Sequence, residues 1–126
     1  MARILIVDDD DSVRRVLRLL FERAGYLVLD AESGDDALAM LPGRDCPDAV
    51  VSDVLMPGIG GLAFYRKLVE LVPSLRHRVV FLTGANSDPA VHRQIEQLGV
   101  PLLGKLDDLQ LVVDAVRLSL LRRTRT

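Results

Sequence analysis

Asp8, Asp9, Asp53, Thr83 and Lys105 are the residues of this 126-residue chain whose types and spacing could together handle a charged group. Asp8 and Asp9 open a run of four aspartates in "ILIVDDDDSV". Adjacent carboxylates repel one another, so the run is either a solvated turn or the seat of a cation. Hard oxygen ligands on a loop suit Mg²⁺, which keeps several waters and takes one or two carboxylates together with substrate phosphate. An aspartate beside such an ion can act as a nucleophile and form an acyl phosphate. Charge developing on the transferred phosphoryl oxygens then needs neutralisation, which Mg²⁺, the Lys105 ammonium and the Thr83 hydroxyl could supply. Taken singly, each residue has a commonplace explanation. Acids before a helix complement its dipole, Asp53 starts a turn, Thr83-Gly84 is an ordinary strand exit, and Lys105 is a surface lysine. What distinguishes them is where they fall in the chain.

Each follows a short apolar run. Ile4–Val7, Leu27–Leu29, Ala49–Val51, Val79–Leu82 and Val100–Leu103 are mostly aliphatic and apolar at consecutive positions, as expected of strands covered on both faces. Amphipathic segments separate them. Val13, Val16, Leu17, Leu20, Phe21 and Ala24 make the first helical stripe, closed by Gly25. Ser33 and Asp36 form a capping pair before Ala37, Leu38 and Leu41. Leu62, Tyr65, Leu68, Val69 and Val72 form the third stripe, stopped by Pro73. Asp88-Pro89 starts a fourth helix that Gly99 ends, and Leu109, Val112, Val113, Val116 and Leu120 give the fifth. Alternation of this kind predicts a doubly wound α/β domain, (βα)5 with a flavodoxin-like parallel sheet in the order 2-1-3-4-5. In such a sheet ligands sit beyond the C-terminal strand ends, where the first and third strands diverge. Asp8 and Asp9, Asp53, Thr83 and Lys105 all belong to that one edge.

Composition narrows the function classes. The chain is 49% hydrophobic and 27% charged, as in a globular domain, and its net charge of −2 comes without a basic stripe, so direct nucleic-acid binding is not expected. The only basic cluster, "RRTRT" at 122–126, reads as a helix terminus. Cys46 is the single cysteine, which excludes an internal disulfide and a cysteine metal cage and suits a reducing, cytoplasmic setting. No apolar run approaches the roughly 18 residues of a membrane span, so no membrane insertion is expected.

The motifs "ILIVDDD", "SDVLMPGIGG", "VVFLTGA" and "LLGK" together resemble the receiver domain of response regulators in two-component phosphorelay signalling, over essentially the whole chain. The resemblance implies that Asp53 is the phosphoacceptor and that Asp8, Asp9, Asp53 and the backbone carbonyl of Leu55 hold Mg²⁺. It makes Thr83 the hydroxyl that follows the phosphoryl group and Lys105 its counter-ion. Asp10 and Asp11 match no ligand and are read as the start of the first helix; Gly61 matches the glycine that opens the third. The implied partner is a sensor histidine kinase or a histidine phosphotransfer protein. A homodimer or effector surface is expected on helix 4, strand 5 and helix 5, where Leu111, Ala115 and Leu118 form a second apolar stripe. The expectation is a single receiver domain over 1–126 with no output domain in this chain and no enzymatic activity beyond self-phosphorylation and slow self-dephosphorylation.

Three departures from the family pattern bear on output. Leu106 replaces the proline that usually follows the lysine. A cis bond before leucine would cost about 2.5–4 kcal/mol, so a trans Lys105–Leu106 bond is expected. Such a loop is expected to leave the ammonium farther from Asp53 until phosphate draws it in. Leu102 stands where a switching aromatic is common, and Leu55 and Ala85 stand where polar side chains are common. Two other readings compete. A haloacid-dehalogenase-like phosphatase would use Asp8 as nucleophile with Asp10 and Ser12, but leaves "DVLMPG" without a task. A degenerate receiver serving only as a binding module would not need the complete set of acids, Thr83 and Lys105. A flavodoxin-like nucleotide binder is excluded, because four aspartates would repel the phosphate its first loop must cradle.

Leu55 and Ala85 offer no side-chain hydrogen bond to align a hydrolytic water, so an acyl phosphate on Asp53 should be long-lived. Introducing Ala85→Glu should shorten its lifetime, measured as loss of the phosphorylated form after the phosphodonor is removed. An unchanged lifetime would contradict this account.

Overall fold

The computed structural model describes residues 1–41, 46–84 and 88–121. Ala85 and the basic cluster at 122–126 lie outside the described residues. The elements alternate as β1 (Arg3–Val7), α1 (Asp11–Arg23), β2 (Leu27–Ala31), α2 (Gly34–Ala39), β3 (Ala49–Asp53), α3 (Gly61–Leu71), β4 (Val79–Thr83), α4 (Pro89–Leu98), β5 (Leu102–Gly104) and α5 (Gln110–Leu121), with a 3-10 turn at Pro73–Leu75. All strand pairs are parallel, and the order is β2-β1-β3-β4-β5. The expected topology is the observed one.

Two-sided coverage shows most clearly in β3, whose five residues are all buried. Alternate strand residues feed two separate cores. Leu5, Val7, Val50, Val79 and Phe81 pack with Phe64, Leu68 and Ile95 on the α2–α3–α4 side. Ile4, Ile6, Val51, Val80 and Leu82 pack with Leu17, Phe21, Val112, Val113 and Val116 on the α1–α5 side. The edge strands depart from the expectation of full coverage. Leu27 is exposed in β2, and every residue of β5 is only partly buried, because an edge strand lies under the rim of its covering helices rather than their centre. β5 also starts two residues later than its apolar run, and the Gly104 N–H donates to the Asp107 carboxylate at 3.3 Å.

Helix punctuation follows local chemistry. Asp10 caps α1, its carboxylate accepting from the Ser12 and Val13 amides, and Asp11 is the first helical residue. Ser33 caps α2 by accepting from the Asp36 amide, and Asp88 caps α4 by accepting from the Ala90 amide. Gly25 and Gly99 follow α1 and α4 in left-handed conformations, at φ +94° and +74°. The stripes are narrower than the periodicity suggests. Val16 is exposed on α1, while Ala115 of the second α5 stripe packs at the rim of the α1–α5 core and leaves Leu111 and Leu118 outside.

Gly61 fixes how closely α3 meets the end of β3. A Cβ there would lie 2.5 Å from the Asp53 carbonyl oxygen, closer than a side chain tolerates, and a tight 3.0 Å from Val54 Cα. The Gly61 amide instead donates to the Val54 carbonyl at 2.9 Å. Gly61→Ala should therefore lower stability by about 1–3 kcal/mol, through forced displacement of backbone. Gly84→Ala, where a Cβ would meet nothing within 4 Å, should change it by less than about 0.5 kcal/mol. Urea unfolding of both variants measures the contrast.

Candidate functional site

Register brings the acids together. Val7 pairs with Ser52, so Asp8, one residue on, comes level with Asp53. Asp53 pairs with Leu82, and Thr83 pairs with Gly104, which places Lys105 just past the end of β5. The Lys105 amide donates to the Thr83 carbonyl at 2.9 Å, so the chain is still tied to β4 where the lysine side chain departs.

Asp8 is wholly buried and Asp53 is 4% exposed. The Lys105 ammonium donates to Asp53 Oδ2 at 2.8 Å and to Asp8 Oδ1 at 3.1 Å, forming a bridge between neighbouring strands. The peptide bond after Lys105 is trans, as expected, since the described residues contain no cis bond. The expectation that a trans loop holds the ammonium away from Asp53 is corrected. The lysine stem is long enough to reach inward from an anchored β5 end, and two buried carboxylates demand a counter-charge that water does not provide. Leu106 points to solvent at 88% exposure and takes no part.

The remaining carboxylate positions are set by backbone donors. The Asp10 amide donates to Asp8 Oδ1 at 2.9 Å, and the Leu55 amide donates to Asp53 Oδ1 at 3.3 Å. The latter bond folds the turn after β3 back on Asp53 and leaves the Leu55 side chain exposed. Asp9 stands exposed at the mouth, and one carboxylate oxygen from each of Asp8, Asp9 and Asp53 lies within 4.8 Å of the others. Asp8 Oδ2 is buried and accepts no hydrogen bond, its one partner being the Lys105 ammonium, ion-paired at 3.0 Å. An all-oxygen set of three carboxylates, with one buried oxygen that accepts no hydrogen bond, fits a hard divalent cation. Asp10 turns away to cap α1, and Asp11 pairs with Arg14.

Burial raises the Asp53 carboxyl from its ordinary 3.8 to about 6; the Lys105 hydrogen bond opposes that rise, and the nearby Asp8 charge adds to it. For Lys105, burial works against the charge, but hydrogen bonds to Asp53 and Asp8 outweigh it and hold the ammonium above its usual pKa.

Thr83 is partly buried, and its hydroxyl lies 3.1 Å from Nε2 of His92 on α4. A long contact to the Gly84 carbonyl, 3.4 Å, is its other partner. Leu102 is partly buried against the α2–α3–α4 core, with no polar group to offer. Two participants were missed by sequence reading. His92 carries no motif, and only its place one turn into the helix after Thr83 hints at contact. Arg14 donates from its guanidinium to the Asp8 carbonyl at 2.5 Å, and its spacing from the aspartates is its only signal.

The shift on Asp53 has a stability consequence. Its folded carboxyl binds the proton more tightly than the unfolded chain does, so between about pH 4 and pH 6 rising pH removes stability through this group. Asp53→Asn cannot ionise there. Wild type should lose urea resistance relative to Asp53→Asn as pH climbs through that window, and a parallel pH dependence would contradict the assignment.

Comparison with known proteins agrees with this geometry. Residues 4–117 match the family model described as the response regulator receiver domain. The response regulator GacA of Pseudomonas protegens is 40% identical over 121 residues, covering 94% of this chain and 55% of its own length. The chain thus spans about half the length of the curated relatives it matches first. Among solved structures, a response regulator receiver domain protein from Clostridium thermocellum superposes with a TM-score of 0.84 at 26% identity, covering 97% of this chain and 96% of that one. The receiver domain of the hybrid histidine kinase CckA gives 0.73 at 31% identity, covering 94% and 98%. With its doubly wound sheet, its acids at the β1 and β3 ends and this match over nearly its whole length, the chain belongs to the response regulator receiver family.

Proposed function

We propose that this domain accepts a phosphoryl group on Asp53 and relays that event to a protein partner. The observation that carries the reading is the Lys105 ammonium held against both Asp53 and Asp8 at the end of the sheet. A carboxylate with a pKa of about 6 is mostly ionised at neutral pH yet more basic than an ordinary aspartate, which suits a nucleophile. An Asp53 oxygen forms the new bond to phosphorus while the bond to the donor breaks. With a phosphohistidine donor, from a sensor histidine kinase or phosphotransfer protein, the released imidazole takes up a proton. Lys105, already 2.8 Å from Asp53, stays as counter-ion to the phosphoryl oxygens, and the Thr83 hydroxyl supplies a hydrogen bond to one of them.

Asp8, Asp9, Asp53 and the Leu55 carbonyl would hold Mg²⁺, whose contribution when bound is to neutralise charge on the phosphoryl oxygens. The domain is no conventional enzyme, since the group it receives stays on its own side chain. The output face we assign to α4, β5 and α5, where Leu111 and Leu118 stand exposed for a homodimer or effector. A phosphatase reading with Asp8 as nucleophile loses support, because Asp8 is wholly buried and Asp10 is committed to the helix cap. Among the described residues no helix is long and apolar enough to cross a membrane.

Incubation with acetyl phosphate and Mg²⁺ should add one phosphoryl group to the wild-type chain and none to Asp53→Asn, read by intact-mass measurement. Labelling of Asp53→Asn at the wild-type level would overturn the assignment. Mg²⁺ binding should weaken clearly in Asp9→Ala, because the seat loses one of its carboxylates, and much less in Asp11→Ala.

A further inference from the structure

We propose that His92 is the catch for the Thr83 hydroxyl, a positioning residue that couples phosphorylation of Asp53 to α4. This rests on the phosphoacceptor reading above. Thr83 is fixed by its backbone, paired with Gly104 and accepting the Lys105 amide. Only its side chain is free to choose a partner, and its shorter contact here is the His92 imidazole at 3.1 Å, against 3.4 Å to the Gly84 carbonyl.

A hydroxyl has a single proton to donate. In the tautomer proposed here Nε2 is the acceptor, so the Thr83 hydroxyl must turn its proton away from His92 to serve a phosphoryl oxygen on Asp53. Staggered wells make that turn a discrete step of about 120° about χ1, not a drift. The step replaces the hydroxyl facing His92 by the Cβ methyl or hydrogen, so the imidazole loses its partner outright. His92 sits on a helix whose N-terminus is pinned, with the Asp88 carboxylate accepting the Ala90 amide and the Asp88 carbonyl accepting the His92 amide at 3.1 Å. The lost bond is therefore felt by α4 as a unit. At β5, Leu102 has no polar atom with which to register the same event, so the reading of Thr83 falls to α4. The catch also competes with phosphorylation, because every productive transfer must first break it.

The test uses the full chain labelled with ¹⁵N, acetyl phosphate as donor, and Mg²⁺. The chain has two histidines, and His77, before β4 at the opposite end of the sheet, serves as internal reference. On phosphorylation the His92 ring nitrogen resonance should move while that of His77 stays. Unphosphorylated Thr83→Val should show the same displaced His92 resonance without donor. His92→Leu should raise the phosphorylation rate constant about 2- to 10-fold, the range expected from removing one neutral hydrogen bond. His92→Gln, whose side-chain amide oxygen restores an acceptor for the hydroxyl at similar reach, should return it to within about twofold of wild type. A phosphorylated Asp53 with an unmoved His92 resonance, or equal rates in the leucine and glutamine variants, overturns the catch and leaves the phosphoacceptor reading standing. Failure of the wild-type chain to take up any phosphoryl group overturns both.

Discussion

Asp8 and Asp53 are held out of water at the ends of adjacent strands, and one ammonium, that of Lys105, keeps the arrangement tenable. Each carboxylate alone would pay a desolvation penalty of several kcal/mol, and the two would repel in a medium that screens poorly. Placing Lys105 between them requires the sheet order to bring β5 to the correct side, the register to bring the strand ends level, and the Thr83 carbonyl to anchor the chain at Lys105. Gly61 contributes by letting α3 close over the Asp53 backbone. Topology, register and helix contact all serve one point of charge balance.

That balance is incomplete, and the shortfall has a sense. Asp53 remains harder to ionise than an ordinary aspartate despite its ion pair, and a buried Asp8 oxygen accepts no hydrogen bond. Both features describe a pocket with more acceptor capacity than its single cation satisfies. A second positive charge would relieve the carboxylates, whereas removing Lys105 would leave two buried acids side by side without a counter-charge.

Much of this was legible before any coordinates. The alternation of aliphatic runs with capped amphipathic segments is strong because parallel strands are buried on both faces and helices on one, and Ser33, Asp88, Gly25 and Gly99 punctuate as their chemistry dictates. The convergence of Asp8, Asp9, Asp53 and Lys105 followed from the topology alone. The reach of Lys105 did not. The bond before Leu106 constrains only the backbone, while the destination of the flexible Lys105 side chain is set by electrostatics. Burial at the margins was also hidden, since Val16 and Leu27 look as apolar as their buried neighbours and only tertiary packing separates them. His92 was invisible for a related reason. A contact between a strand end and a helix face depends on the angle at which that helix docks, and no periodicity encodes it.

The Asp107 carboxylate beside β5 bears on solution behaviour as well as on local geometry. Peptide groups along the outer margin of a sheet invite strand addition from another chain, the first step toward fibrils. In this domain that margin is three residues long, begins directly after Pro101, and has the Gly104 amide already engaged by Asp107. A foreign backbone arriving there finds a short, partly occupied ladder flanked by negative charge. Strand exchange is thereby discouraged, and any association along this side of the molecule falls to helix side chains instead.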